Sequence, residues 1–232
     1  MSIASFLNKI KKESVNNDVQ KLLNWLRAHN VESEVIKAIE ENPSNITKLD
    51  LSNKDIDELP DSISLLSSLE QLHLYSNNLS TFPESLLEFK NLTELNLDKN
   101  QINNIPHKIN KLEKLQMLRL GHNKISSIPM ELSQVSSLEL LYLNDNNIKS
   151  LPSTLVELKF LSVLLLNNNN LSELPRFIGD LPSLAQVNLT GNGIFYQKSD
   201  LPLFRKLLCI NIDKKMNLET WNKFQENPFI RW

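Results

Sequence analysis

The chain has 232 residues, 41% apolar and 22% charged, with a formal net charge of −2 and an isoelectric point near 6.1. This is an ordinary globular composition, long enough for one large domain or two small ones. The charge balance gives no electrostatic footprint for nucleic acid, the single cysteine, Cys209, excludes an intrachain disulfide, and no apolar run is long enough to cross a bilayer.

Residues 1–14 lack the form of a secretion signal, because the short run Ile3–Leu7 is followed by lysines where small residues would precede a cleavage site. Residues 1–45 instead carry helical spacing. Ile3, Phe6, Leu7 and Ile10 predict a first helix, and Val19, Leu22, Leu23 and Leu26 a second with Asn17 or Asp18 at its start. Val31, Val35, Ile36 and Ile39 predict a third, stopped by Pro43. Lys9, Lys11 and Lys12 beside the first apolar face would suit an acidic membrane surface or a docking or export segment. Three lysines are few, however, and a helix closing an exposed core needs the same apolar face, so residues 1–45 are read as a helical cap.

From residue 46 the chain repeats itself. The spacing L-x-x-L-x-L-x-x-N begins at positions 46, 69, 92, 115, 138, 161 and 184, a constant step of 23 without insertion. The unit starting at Leu115 reads Leu115, Leu118, Leu120, Asn123; the first reads Ile46, Leu49, Leu51, Lys54, and the last Leu184, Val187, Leu189, Asn192. The second half of each unit is also in register, with Leu59-Pro60, Phe82-Pro83, Ile105-Pro106, Ile128-Pro129, Leu151-Pro152 and Leu174-Pro175 at equivalent places. Period-two leucines predict a strand with one buried face. A fixed step returns each strand beside its predecessor as a parallel neighbour, so seven strands span about 29 Å from six gaps of about 4.8 Å. The rest of each unit, a short helix, 3-10 turn or extended segment, covers the outside. A single unit buries only seven or eight apolar side chains, each worth about 1.5–3 kcal/mol, and must be stacked to fold.

The asparagines at the ninth position, Asn77, Asn100, Asn123, Asn146, Asn169 and Asn192, can donate and accept, and are read as a structural ladder that satisfies backbone groups after each strand. Lys54 interrupts it in the first unit.

The pattern resembles the leucine-rich-repeat family in its 23-residue form with an L-P-x-x-I-x-x-L-x-x-L tail. It is similar to Ras-group and scaffold-type intracellular repeats and to repeat proteins and secreted effectors of bacteria. The resemblance covers residues 46–195 and implies an α/β fold, a right-handed, curved solenoid whose parallel sheet lines the concave side. It implies a non-catalytic protein-binding module, with small GTPases, phosphatases and ubiquitin-pathway proteins as candidate partners. It leaves open a bacterial effector acting in a host cytosol, and a recognition subunit of an enzyme complex. The 30 asparagines and 20 lysines are a bias shared with AT-rich bacterial genomes.

Residues 196–232 are read as a second cap. Leu203, Phe204, Leu207 and Leu208 predict a helix with Pro202 in its first turn. Ile210 and Ile212 can extend the sheet, and a last helix begins at Asn217, carries Leu218, Trp221 and Phe224, and ends by Pro228. Caps without cysteine pairs suit a reducing, cytoplasmic working place.

Strand side chains outside the core, at positions three, five, seven and eight, face the concavity. They are mostly polar and mixed in charge, Lys48, Lys99 and Arg119 against Asp50, Glu94, Asp98 and Asp145. The exception is an apolar patch, Met117, Leu140, Val163 and Leu165, with Arg119 and Tyr142 between them. Together with His73, Tyr75 and His122 these are the expected partner-binding residues of a monomer. No catalytic, cofactor-binding or metal-binding set is expected: there is no phosphate loop, nucleophile elbow, zinc-protease motif or paired cysteine motif. His73 and His122 are two units apart and offset, which argues against a shared metal. Cys209, between Leu208 and Ile210, is expected to be a buried hydrophobe.

Overall fold

The computed structural model describes residues 3–226 and 228–231, with the side chains of residues 3–15, 218 and 221 outside the description. Each 23-residue turn contributes one three-residue strand, and the strands stack in chain order into one open parallel sheet. They are β1 (Lys48–Asp50), β2 (Gln71–His73), β3 (Glu94–Asn96), β4 (Met117–Arg119), β5 (Leu140–Tyr142), β6 (Val163–Leu165), β7 (Gln186–Asn188), β8 (Cys209–Asn211) and β9 (Ile230–Arg231). From β1 to β8 every Cα partner lies one period away, as in Leu118↔Leu141 and Gln186↔Cys209. β9 pairs Ile210 with Ile230, out of that period.

The period decides what is buried. In the turn beginning at Leu115, the side chains of Leu115, Leu118, Leu120, Ile125, Ile128, Leu132 and Val135 are all buried in the common core. The outside of the turns consists of 3-10 segments, such as His107–Lys111 and Met130–Gln134. Each of the six from Asp61–Leu65 to Arg176–Gly179 is preceded by a proline, Pro60 to Pro175, with φ between −66 and −70°. Proline is fixed near that φ and lacks the amide hydrogen that would go unused there.

The ladder is formed throughout. Asn123 Oδ1 accepts from Ile102 N at 2.9 Å, while Nδ2 donates to Leu97 O at 3.0 Å and to Leu120 O and Gly121 O at 3.1 Å. One carboxamide thus serves the backbone of its own turn and of the turn before. In the first turn Lys54 has no earlier turn to serve, and its Nζ donates to Asn30 O at 2.9 Å, just past the first helix. Lys215 occupies the same place one period after Asn192, and its Nζ donates to Asn192 O at 2.7 Å.

The residue before each ladder position adopts a left-handed backbone: Asn53, Ser76, Lys99, His122, Asp145 and Asn168 have φ of 53–57°, and Gly191 has 72°. This rotation aims their amides along the stack, so that Ser76 N donates to Asp98 O and His122 N to Asn144 O, both at 2.9 Å. A Cβ at Gly191 would lie 2.1 Å from Asn168 Oδ1, so a side chain there would displace that carboxamide.

At the N-terminus the two predicted leading helices are one, α1 (Ile3–Ala28). The expected break at Asn17 or Asp18 does not occur. Polar residues inside a helix cost about 0.5 kcal/mol each, less than nucleating a second helix. Residues Ile3, Phe6, Leu7 and Ile10, and the three lysines beside them, have side chains outside the described set. Leu22, Leu23 and Leu26 of α1 are buried with Ile36 and Ile39 of α2 (Ser33–Glu41), in the same apolar cluster as the repeats.

Beyond the seventh repeat the predicted helix with Pro202 in its first turn is instead a 3-10 segment, Lys198–Phe204, with Pro202 inside it. Leu207 and Leu208 lead into β8 because the 23-residue register continues: Leu207, Ile210 and Ile212 are buried and Leu208 is exposed. α3 (Leu218–Gln225) follows, its start held by Asn217 Oδ1 accepting from Thr220 N at 2.8 Å. Tyr196, Phe204 and Phe224 are fully buried, with ring centroids 5.9–6.5 Å apart.

Two stability outcomes follow. Replacing Asn123 by alanine leaves the buried Ile102 amide unpaired and takes one of two bonds from the carbonyls of Leu97, Leu120 and Gly121; it is expected to cost about 1–3 kcal/mol, read as a lowered urea midpoint, and an unchanged midpoint would show the ladder to be dispensable. The side chain of Ser76 makes no described hydrogen bond, so Ser76→Gly relieves left-handed strain of about 1 kcal/mol or more, partly offset by glycine entropy. Its midpoint is expected to rise, and that of Ser76→Val to fall.

Candidate functional site

Within each strand the central residue is buried and its two neighbours are half-exposed from β2 to β8. Positions three and five therefore form two columns along the inner face, and the register sets who stands beside whom. Met117, Leu140 and Val163 are successive partners in one column; Arg119, Tyr142 and Leu165 are successive partners in the other. Six of the nine sequence-predicted residues therefore form one strip across β4, β5 and β6. Flanking strands carry Glu94 and Asn96 on one side and Gln186 and Asn188 on the other.

Arg119 is the strip's permanent cation. Its guanidinium carbon lies 4.5 Å from the ring centroid of Tyr142, and its Nε is 3.3 Å from Met117 Sδ. A guanidinium over an aromatic face is a favourable arrangement that also fixes both side chains. His122 stands at the rim, in the left-handed turn after β4, with Nε2 3.5 Å from Asp145 Oδ2.

His73 and Tyr75 belong to a separate group. They sit in the second turn, and Glu94, Asn96 and Asp98 lie between them and the strip. His73 Nε2 is 3.2 Å from Glu94 Oε1. Lys99 Nζ is 5.1 Å from the centroid of the Tyr75 ring, and its hydrogen bond to Tyr75 holds the lysine above its ordinary value.

Gly121 keeps the inner wall low behind Arg119: a Cβ there would lie 2.8 Å from Asn144 Oδ1. Its amide donates to Asp98 Oδ1 at 2.5 Å. Burial raises the Asp98 carboxyl above the ordinary value of 3.8, against the Gly121 bond and the nearby Arg119, His122 and Lys99 charges. Spacing alone gave no sign of this, since Asp98 and Gly121 are one period apart and alike in sequence to any solvated pair.

Cys209 departs from its expected place. It is half-buried at position three of β8, on the inner face, and the core is filled instead by Leu207 and Ile210. The constant register could have revealed this by extending one further step from Gln186. Among the described residues no group of three or more histidine, cysteine, aspartate or glutamate side chains could hold a metal ion, and no helix is long and apolar enough to cross a membrane.

Comparison with known proteins agrees with this geometry. Residues 44–102 match the family model described as leucine rich repeat, and residues 107–207 the model described as leucine-rich repeat region. The chain belongs to the leucine-rich-repeat proteins. Among solved structures, a leucine-rich-repeat protein of Leptospira interrogans is 26% identical with a TM-score of 0.68, over 88% of this chain and 58% of that one. The repeat ectodomain of the Arabidopsis thaliana membrane receptor kinase GASSHO1/SCHENGEN3, solved in complex with CASPARIAN STRIP INTEGRITY FACTOR 2, is 27% identical with a TM-score of 0.61. That match covers 75% of this chain and 22% of the receptor chain. An internalin of Listeria monocytogenes, 18% identical with a TM-score of 0.65 over 75% of this chain and 51% of its own, shares the fold. No curated protein matches the chain.

The raised Asp98 carboxyl has a pH consequence. A carboxyl whose value is higher folded than unfolded contributes stability below the unfolded value, and loses it as pH rises through the folded one. Asp98→Asn keeps an acceptor for Gly121 and removes that loss. The variant is expected to exceed wild type in urea midpoint at pH 7 and to lose that advantage at pH 3; a constant difference would assign the effect elsewhere.

Proposed function

We propose that the chain binds a protein or peptide partner on its inner face, through the strip on β4, β5 and β6, and has no catalytic role of its own. The observation that carries this reading is the contiguity of Met117, Leu140, Val163, Tyr142 and Leu165, half-exposed on a rigid sheet whose neighbouring strands carry polar residues at the same positions. A soluble fold has no packing reason to place apolar side chains side by side on its solvated wall. Aromatic and arginine anchors within such a patch are the residue types that dominate interface energetics. The contact of Arg119 with the Tyr142 ring places both anchors before a partner arrives, which reduces the ordering cost of association.

The plant receptor structures support the reading by kinship: one is a complex with CASPARIAN STRIP INTEGRITY FACTOR 2, and another, 28% identical with a TM-score of 0.58 over 67% of this chain and 27% of its own, is a peptide hormone receptor in complex with RGF2. In this proposal residues 1–45 and 196–232 close the two ends of the stack, and the inner wall is left for recognition. The cytosol is the working place that the single cysteine favours. Modulation of a host signalling or ubiquitin-pathway protein is the narrower form of the proposal.

The test is affinity capture from host and bacterial lysates by wild type and by a Tyr142→Ala/Leu165→Ala variant. Loss of two anchors of about 2 kcal/mol each should lower recovery of a specific partner well over tenfold, with the thermal midpoint of the variant close to wild type. A partner recovered equally by both proteins would remove the strip from the interface.

A further inference from the structure

At the side of the strip nearest the strand starts, Glu94, Glu139, Met117, Leu140, Thr93 and Gln116 line an open hollow of about 230 Å³. Its floor is apolar: Met117 and Leu140 are register partners on β4 and β5, both half-exposed. Its charges are two carboxylates. Glu94 is the β3 partner of Met117, and Glu139 directly precedes β5. Two strand gaps of about 4.8 Å separate them, so they stand about 10 Å apart along the stack.

What the hollow lacks is a permanent cation. Glu139 is exposed and enters no ion pair among the described residues. The partner of Glu94 is His73, charged only when protonated. Of the permanent cations on the inner face, Arg119 is held on Tyr142 and Lys99 on Tyr75, and Lys48 stands on β1, two strands from Glu94. The hydroxyl of Thr93 is committed to Glu70 O at 3.0 Å. The hollow therefore combines a greasy floor with uncompensated negative charge at two edges.

That combination is the complement of one kind of side chain. Lysine and arginine carry a charged head on a methylene stem that covers apolar surface, and an arginine fork bonds carboxylates in plane. We propose that the hollow receives a lysine or arginine side chain of the protein partner, its stem on Met117 and Leu140 and its head held by Glu94 and Glu139. This inference rests on the reading of the inner face as an interface, and it specifies the partner chemistry: a basic residue placed beside the apolar segment that covers the strip.

The hollow can be probed without the partner. Protein labelled with carbon-13 at its methionine methyls is titrated with n-butylguanidinium and with its neutral counterpart n-butylurea. Met117 is expected to shift saturably with the cation, while Met130, exposed on the outer face, stays still. Binding should be at least fivefold weaker for butylurea, and at least fivefold weaker for the cation in Glu94→Gln/Glu139→Gln. Glu139→Gln alone, at an exposed site, gives the same direction of change in a variant with no route to unfolding. Equal response to the neutral probe, or a response untouched by either variant, overturns the inference. If the cation binds as expected while partner capture ignores Tyr142 and Leu165, the strip reading fails and the hollow stands. If capture depends on Tyr142 and Leu165 while Met117 is silent, only the hollow is refuted.

Discussion

The interaction on which the rest depends is the one between each ladder asparagine and two successive turns. A solenoid turn that leaves its strand must bend sharply while its backbone is still inside the core, and each buried amide and carbonyl there needs a partner. Helices and sheets solve this within themselves. Here the strands are only three residues long, too short to carry the bend. Asn123, by accepting from Ile102 and donating to Leu97, Leu120 and Gly121, bonds one turn to its predecessor, and it shares the Leu97 and Leu120 carbonyls with the ladder asparagines on either side, Asn100 and Asn146. The left-handed residue before it aims one more amide at the following turn. Stacking is therefore specified by directional bonds as well as by burial, which is why the period admits no insertion over seven units.

That constraint has two ends, and lysine stands at both. A carboxamide at position 54 would have an earlier turn to serve only if one existed; Lys54 instead reaches Asn30 O beyond α1. At position 215 the lysine reaches back to Asn192 O. A long donor-only side chain can cross a gap that a short carboxamide cannot, and it needs no amide on the far side. Sequence alone recorded Lys54 as an interruption; the structure gives both substitutions the same physical sense.

How much was legible follows from what each feature depends on. The strands, their register, the buried leucines and the strip Met117–Leu140–Val163 depend on the period alone, so counting by 23 was enough. The continuity of α1 across Asn17 and Asp18 was not legible, because helix caps and helix interiors share those residue types and only the cost of nucleation separates them. Cys209 was misplaced because its apolar neighbours outweighed its register. His73 and Tyr75 share the inner face with the strip but not its position, because the intervening strand carries Glu94 and Asn96. The raised carboxyl of Asp98 and the hollow beside Met117 needed side-chain positions, which no pattern supplies.

The same division explains why recognition can vary on this scaffold. Ladder and core occupy fixed positions of the period, so a substitution at position three or five leaves the stacking bonds intact. Gln71, Glu94, Met117, Leu140 and Val163 are equivalent places on one wall, yet they run from polar and acidic to apolar within five strands. The cost of an exposed apolar residue is small when its neighbours are polar and grows as the patch becomes contiguous. Contiguity over β4, β5 and β6 is therefore a burden that the fold itself does not require. Pinning Arg119 to Tyr142 goes further, removing a mobile cation from solvent at the centre of that patch. A wall on which Arg119 and Lys99 are fixed on rings while Glu94 and Glu139 stand beside the apolar strip has a sign as well as a shape, and both are independent of the forces that hold it up.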